Sequence, residues 1–235
     1  MVMAKNVMRK NLRQSILTSL GRYIAIILII TLGAGIFVGL RGTKYDMVAT
    51  GQKYMDEMNM FDLRLMNTYG WDITDVEKIA ALEGVVDAEG VITMDVLGQL
   101  AGGGEDSVYT LYAIPERVDR ILLLGGRMPE APNECLVDGA RYGDSALGQE
   151  FTVSMNNEDQ TLESLTQQTF TVVGYISTPL YMDMSRGTTT LGNGTVTTYV
   201  YLPADAFDVD YYSEIHVTIP GDYQVYTQVY NDAMD

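Results

Sequence analysis

The chain has 235 residues and a mass of 26.0 kDa, with 15 Lys/Arg against 31 Asp/Glu, a net charge of −16. So acidic a balance excludes the basic surface that nucleic-acid binding needs. One cysteine, Cys135, excludes an internal disulfide framework, so a packed core must stabilise any folded part unaided.

Residues 1–22 hold Lys5, Arg9, Lys10, Arg13 and Arg22 and no acidic residue. Met8, Leu12, Ile16 and Leu20 recur every four positions beside the basic row, which predicts an amphipathic helix. Such a helix either lies on an anionic inner leaflet or continues the next segment into the cytosol; the periodicity allows both.

The stretch "RYIAIILIITLGAGIFVGLR" follows. Eighteen uncharged residues, Tyr23 to Leu40, stand between Arg22 and Arg41. As a helix they would be about 27 Å long, against a hydrocarbon core of ~30 Å. Ile26 to Ile30 cover every face, unlike a soluble core helix. A cleaved export signal has a shorter apolar core, although "GAG" at Gly33–Gly35 would pass as a cut site. A transmembrane helix over 23–40 is therefore predicted. Gly33, Gly35 and Gly39 are its packing candidates, because Gly35 and Gly39 form a G-x-x-x-G that lets a second helix approach closely. Beyond the span the remaining ten Lys/Arg face all 31 Asp/Glu, a net of −21, so the positive-inside rule puts the N-terminus in the cytoplasm and the region after about residue 41 outside.

"TKYDMVATGQKYMDEMNM" lacks proline and reads as a helical stalk over 41–60, with Met47, Met55, Met58 and Met60 as packing surface rather than metal ligands. Unbroken from Tyr23 to Met60, the helix would extend about 57 Å. "FDLRLM" alternates as a half-buried strand. "WDITDVEKIAALEG" reads as a helix with a Thr74/Glu77 capping box and a stop at Gly84. "GVITMDVLGQL" and "SVYTLYAIP" form a hairpin through "AGGGED". This β-α-β-β order predicts a helix on a small mixed sheet over 61–118.

From Arg120 to Pro203 short strand-like runs dominate: "ECLVD", "QEFTVSM", "FTVVGYIS" and "TVTTYVYLP". A mainly β section over 119–208 is expected, with "NNEDQTLESLTQQT" and "YMDMSRGTTTLGNGT" as its mobile loops. Cys135 lies in a strand as a small hydrophobe. Residues 209–235 start a new strand, "EIHVTI", and then a helix from Tyr223, so the second half is expected to be incomplete at Asp235.

Catalytic signatures are missing. His216, the sole histidine, alternates with Ile215 and Val217 in a strand, as a satisfied or exposed residue. No nucleophile elbow, phosphate loop or transition-metal ligand spacing occurs. "NGT" at Asn193 is a formal glycosylation acceptor only.

Three stretches carry a resemblance. "RKNLRQSILTSLGRYIAIILIITLGAGIFVGLRG" is similar to the opening of the MacB/FtsX family of ABC-transporter permeases. "GGRMPEAPNECLVD" resembles a second segment of that family through Gly126, Arg127, Pro129 and Glu134. "LGQEFTVSM…TFTVVGYI" resembles a third through Gly148, Phe170, Val172, Gly174 and Ile176. The residues read as scaffold: a turn before a strand, a close backbone approach at Gly174, and an Arg127–Glu134 pair.

The resemblance implies a membrane-anchored α+β protein with a porter-like part in two α/β halves and a β insert between them. It implies a permease subunit, dimeric or paired, coupled to a separate cytoplasmic ATPase that binds the ATP, with no cofactor or catalysis in this chain. It also implies three later membrane spans, so this chain alone is not expected to transport. A single-pass receptor or adhesion protein is the alternative.

Overall fold

The computed structural model describes residues 2–101 and 104–221, together with 228 and 230. It divides into two units, Met1–Gln52 and Lys53–Asp235.

The first unit is helical. Helix α1 (Val2–Thr18) and helix α2 (Leu20–Glu57) are separated by Ser19, whose N–H is shared between the carbonyls of Ser15 and Ile16, both at 3.2 Å. Alpha helix α2 has 38 residues, none buried, and is long and apolar enough to cross a membrane. The predicted span and stalk are thus one element.

That helix stops three residues sooner than the expected Met60. Asn59 adopts the left-handed conformation (φ 52°), the Asn59 N–H reaches the Asp56 carbonyl at 3.1 Å, and the Met60 N–H reaches that of Met55 at 3.0 Å. This double bond around a left-handed residue satisfies the last helical carbonyls and turns the chain out of the axis. Asparagine is the side chain after glycine that tolerates the position best.

The second unit holds two sheets. In the smaller one, β1 (Leu63–Trp71) and β2 (Asp87–Val91) flank β10 (Tyr212–Thr218), both antiparallel to it. Helix α3 (Ile73–Ala80) covers one face, where Val76, Ala88, Ile215 and Val217 form a core with Leu65, Trp71 and Ile79 packed against it. The N-cap of α3 is Asp72, not Thr74. Its carboxylate accepts the Asp75 N–H at 3.0 Å and the Thr74 hydroxyl at 2.6 Å, so Thr74 serves the cap rather than forming it. The helix ends at Ala80, and Gly84 (φ 91°) makes the later turn towards β2.

The larger sheet runs β5-β8-β6-β9-β4-β3-β7, and β7 pairs back with β8. Its strands are β3 (Thr93–Leu100), β4 (Ser107–Ala113), β5 (Leu122–Gly126), β6 (Glu134–Asp138), β7 (Glu150–Val153), β8 (Thr169–Ser177) and β9 (Thr198–Leu202). The pairing of β7 with β8 closes β8-β6-β9-β4-β3-β7 into a six-stranded barrel. Strand β5 takes the remaining length of the same β8 edge. Alternate residues point inward, so Val96, Leu111, Val137, Phe151, Phe170, Val172 and Val200 fill the barrel with no more than 1% exposure. Burying each such side chain is worth about 1.5–3 kcal/mol. Cys135 is among them, and burial pushes its thiol well above the ordinary value, which fits the small-hydrophobe reading.

The expected division of the chain differs from this in two places. The β3–β4 hairpin, assigned to a first half ending at 118, belongs to the barrel. The strand assigned to a second half from 209 is instead the centre of the small sheet. Both differences have one cause: β2 and β3 are a single run broken only at Ile92, so the chain enters the barrel before residue 118 and returns through β10. Order along the chain does not encode that return. The helix expected from Tyr223 lies outside the described residues except for Gln228 and Tyr230, both helical.

The two expected mobile loops are tied down. In 156–169, α4 (Asp159–Glu163) forms and Leu165 is buried in the barrel core. In 181–195, Arg186 is buried against Asp138.

Candidate functional site

Gly33, Gly35 and Gly39 lie in the body of α2, and a Cβ built on any of them meets nothing within 4 Å. The Thr43 hydroxyl donates to the Gly39 carbonyl at 2.9 Å, one helical turn back. Lys10 and Arg13 are exposed on α1 and Arg22 on α2; the side chains of Lys5 and Arg9 lie outside the described residues.

The second and third resemblance stretches meet along β8. Gly126 stands opposite Gly174, and each leaves room for the other strand's backbone. A Cβ on Gly126 (φ 78°) would fall 2.3 Å from the Val173 carbonyl oxygen, and one on Gly174 would fall 2.6 Å from that of Arg127. The Arg127 N–H donates to the Val173 carbonyl at 3.0 Å, and the Gly148 N–H to the Val172 carbonyl at 2.9 Å. The Arg127 guanidinium forks onto Glu134, with one arm at 2.7 Å, and the Glu130 N–H adds 2.8 Å. The Arg127 hydrogen bond, followed by that backbone N–H, holds the Glu134 carboxyl down at about 2. Pro129 rides the intervening turn, while Phe170 and Val172 point into the barrel. The arrangement is a clip joining β5, β6 and β8.

Two buried charged clusters were not singled out by their sequence positions. In the first, Asp138 is 1% exposed at the end of β6. It accepts from Arg186 Nε (2.9 Å) and Nη2 (2.7 Å), Thr198 Oγ1 (2.9 Å), Tyr199 Oη (3.2 Å) and the Ala140 N–H (2.9 Å). The guanidinium carbon of Arg186 lies 5.4 Å from the ring centres of both Tyr181 and Tyr199. No charge is left alone there.

The second cluster is built on His216, on the central strand β10 of the small sheet, whose cross-strand neighbours are Arg64 on β1 and Glu89 on β2. Its Nδ1 lies 2.6 Å from Asp119 Oδ2 and its Nε2 lies 3.0 Å from Glu214 Oε2. Arg64 forks onto the Glu214 carboxylate, with Nε at 2.6 Å. The ring of Phe61 rests 4.4 Å from the imidazole centre. Burial lowers the His216 basicity more than any other single influence, but the hydrogen bonds and charges of Asp119 and Glu214 together outweigh it and raise the value. Glu214 is shifted up by burial and further down by His216 and Arg64, for a net lowering. Beside them lies a cavity of about 130 Å³ lined by Met60, Phe61, Arg64, Tyr112, Leu180, Tyr181, Glu214 and His216. One signal was available in the sequence: Glu214 and His216 are two apart on a strand and share a face. Asp119 and Arg64 had none.

Among the described residues, no group of three His, Cys, Asp or Glu is placed to hold a metal ion. No family model matches the chain, and no curated protein matches it. Solved structures do. The extracellular domain of the noncanonic ABC-type transporter YknZ from Gram-positive bacteria is similar over 66% of this chain and 76% of that one, with a TM-score of 0.42 and 14% identity. The periplasmic region of MacB from Actinobacillus actinomycetemcomitans is similar over 75% and 82%, with a TM-score of 0.40 and 9% identity. A domain of a protein described as a permease from Porphyromonas gingivalis is similar over 64% and 68%, at 0.37 and 12%.

Proposed function

We infer that this chain is the N-terminal portion of a permease subunit of a MacB/FtsX-like ABC transporter, anchored in the cell membrane by α2 with its N-terminus in the cytoplasm. The β1-α3-β2-β10 sheet is its porter-like part and the barrel its insert. ATP binding and hydrolysis belong to a separate cytoplasmic subunit. The permease works as a homodimer or a paired subunit, and movement produced by ATP hydrolysis reaches the outer domain for export or mechanotransmission. The observation that carries this reading is the convergence of Gly126, Arg127, Glu134, Gly148, Val172 and Gly174, far apart in the chain, on one clip along β8. Charge placement supports the orientation: all five Lys/Arg ahead of the span are unopposed by any acid.

The test uses the full chain in bacterial membranes. Cys135 is fully buried, so cysteines added singly as Ala4→Cys and Ser185→Cys report alone. In intact cells an impermeant maleimide should label the second and not the first. The chain, solubilised natively, should copurify with a subunit that has a phosphate loop and hydrolyses ATP. Labelling at Ala4→Cys overturns the orientation. A tightly held extracellular ligand with no ATPase overturns the permease reading in favour of a single-pass receptor.

A further inference from the structure

Chemistry concentrates at one place in the second unit that the transport reading does not use: the turn after α2. Four backbone or side-chain bonds join that turn to the loop between β4 and β5. The Asp119 N–H donates to the Asn59 carbonyl at 2.9 Å, and the Arg120 N–H to that of Met58 at 2.8 Å. Asn59 Nδ2 reaches the Arg117 carbonyl at 2.9 Å, and the Phe61 N–H reaches Asp119 Oδ1 at 3.0 Å. Asp119 is therefore the keystone: one carboxylate oxygen holds Phe61 and the other holds His216. It is itself left-handed (φ 56°) and 3% exposed.

His216 bridges two carboxylates, Asp119 and Glu214, using both ring nitrogens. A neutral imidazole has one N–H and one lone pair, so only the imidazolium can donate in both directions. Protonated, the set Arg64, Glu214, His216 and Asp119 sums to zero charge. Deprotonated, it carries one uncompensated negative charge in a buried place, a state that proteins relieve by moving or opening. Glu214 keeps the fork of Arg64 in either case. Asp119 keeps only the Phe61 amide and a neutral ring whose single N–H cannot serve both carboxylates, so it loses its ion pair with the imidazolium.

We propose that the His216 cluster is a latch on the turn following α2, closed while the imidazole is protonated and released when the proton leaves. The cavity beside Phe61, Arg64, Glu214 and His216 gives water a route to the ring. Among the described residues, charged and polar groups face the ring from each neighbouring element. From β10 there is Glu214 and from β1 Arg64. From β2 there is Glu89, whose carboxylate is taken up by the N–H groups of Glu116, Arg117 and Val118 at 2.7–2.8 Å. The loop supplies Asp119, with Arg117 drawn to Asp87 at 3.3 Å and Arg120 to the Glu57 carbonyl at 2.8 Å. From the barrel come the Tyr112 and Tyr181 hydroxyls, bonded to each other at 2.8 Å. Histidine is the side-chain type whose ordinary value lies near neutrality. Its folded value is raised above the ordinary value of about 6.5, so the stabilisation is fully present below about 6.5 and is lost as pH rises through the folded value. The latch opens towards alkaline pH. It does not depend on the transport reading.

Because His216 is the only histidine, ring-labelled histidine in the full chain, held in lipid nanodiscs, gives a single signal. The ring is followed from about pH 5 to pH 9 together with amide exchange at Phe61, corrected for intrinsic exchange and referred to Val200 in the barrel. The expected result is one titration above about 6.5, with Phe61 protection falling about tenfold through it, the loss of one hydrogen bond to a charged group. In Asp119→Asn the ring should titrate lower and Phe61 exchange should no longer follow it. A ring that stays in one charge state throughout, or one that titrates while Phe61 protection stays level with Val200, overturns the proposal. The unmodified chain alone decides between these outcomes, whatever the variant does.

Discussion

Arg186 offers the sharpest test of how the long loop before β9 is held. In Arg186→Met the stem volume stays close to that of the parent while the charge goes, leaving the Asp138 carboxylate buried at 1% exposure without its cation. Breaking a buried pair by removing one partner costs about 3–5 kcal/mol. Asp138 still accepts from Thr198, Tyr199 and the Ala140 N–H, which favours the lower end, about 3 kcal/mol. For a domain of this size that corresponds to a Tm lower by roughly 6–12 °C. Near-ultraviolet circular dichroism is the suitable assay, because the Tyr181 and Tyr199 rings lie against Arg186, with Tyr201 packed on Tyr199, and report the packing there. Adding Asp138→Asn to Arg186→Met removes the stranded charge and should recover more than half of the loss. A Tm within about 2 °C of the parent for Arg186→Met, less than 1 kcal/mol, would refute the reasoning. So would a double variant no better than the single one.

Three further outcomes are expected. Gly174→Ala puts a Cβ 2.6 Å from the Arg127 carbonyl oxygen and 2.8 Å from Leu136 Cδ2, and should cost about 1–3 kcal/mol in urea unfolding; an unchanged midpoint would show that β5 and β8 can part freely. The Glu134 carboxyl sits at about 2, below its ordinary value near 4.3, so the clip's contribution is present above about 4.3 and is lost only as pH falls through about 2. A carboxyl carbon titration of Glu134 centred near 4.3 would contradict the clip. Gly35→Leu with Gly39→Leu should leave the chain's own folding intact, since nothing lies within 4 Å of either, but should reduce crosslinking between copies along α2; undiminished crosslinking would remove the small-residue strip from any role in assembly.

Local signals were legible in the sequence and distant ones were not. The apolar helix, the β3–β4 hairpin and the strands around Cys135 and Phe170 follow from hydrophobic period and turn chemistry within a few residues. The Arg127–Glu134 pair was within reach because the two are seven apart across a proline turn. Asp138 and Arg186 are 48 apart, and Asp119 and His216 are 97 apart; their contacts depend on barrel closure, which no local pattern encodes. The polar run at 181–195 therefore read as mobile, although its arginine is anchored in the core. Asn59 was a nearer miss: the helix terminator was on view, but an unbroken helical run beside it masked the signal.

Strand β10 lies between β1 and β2, with the whole barrel made from the chain that separates β2 from it. A ribosome delivers β1, α3 and β2 first, and the two strands do not pair with each other. Their shared partner arrives more than a hundred residues later. The small sheet is thus a late product of synthesis: loop closure on that scale slows the step, and the apolar face of α3 waits exposed meanwhile. Partial chains ending before Tyr212 should hold a formed barrel beside an unformed sheet, and the cell's chaperones would meet this protein at that stage.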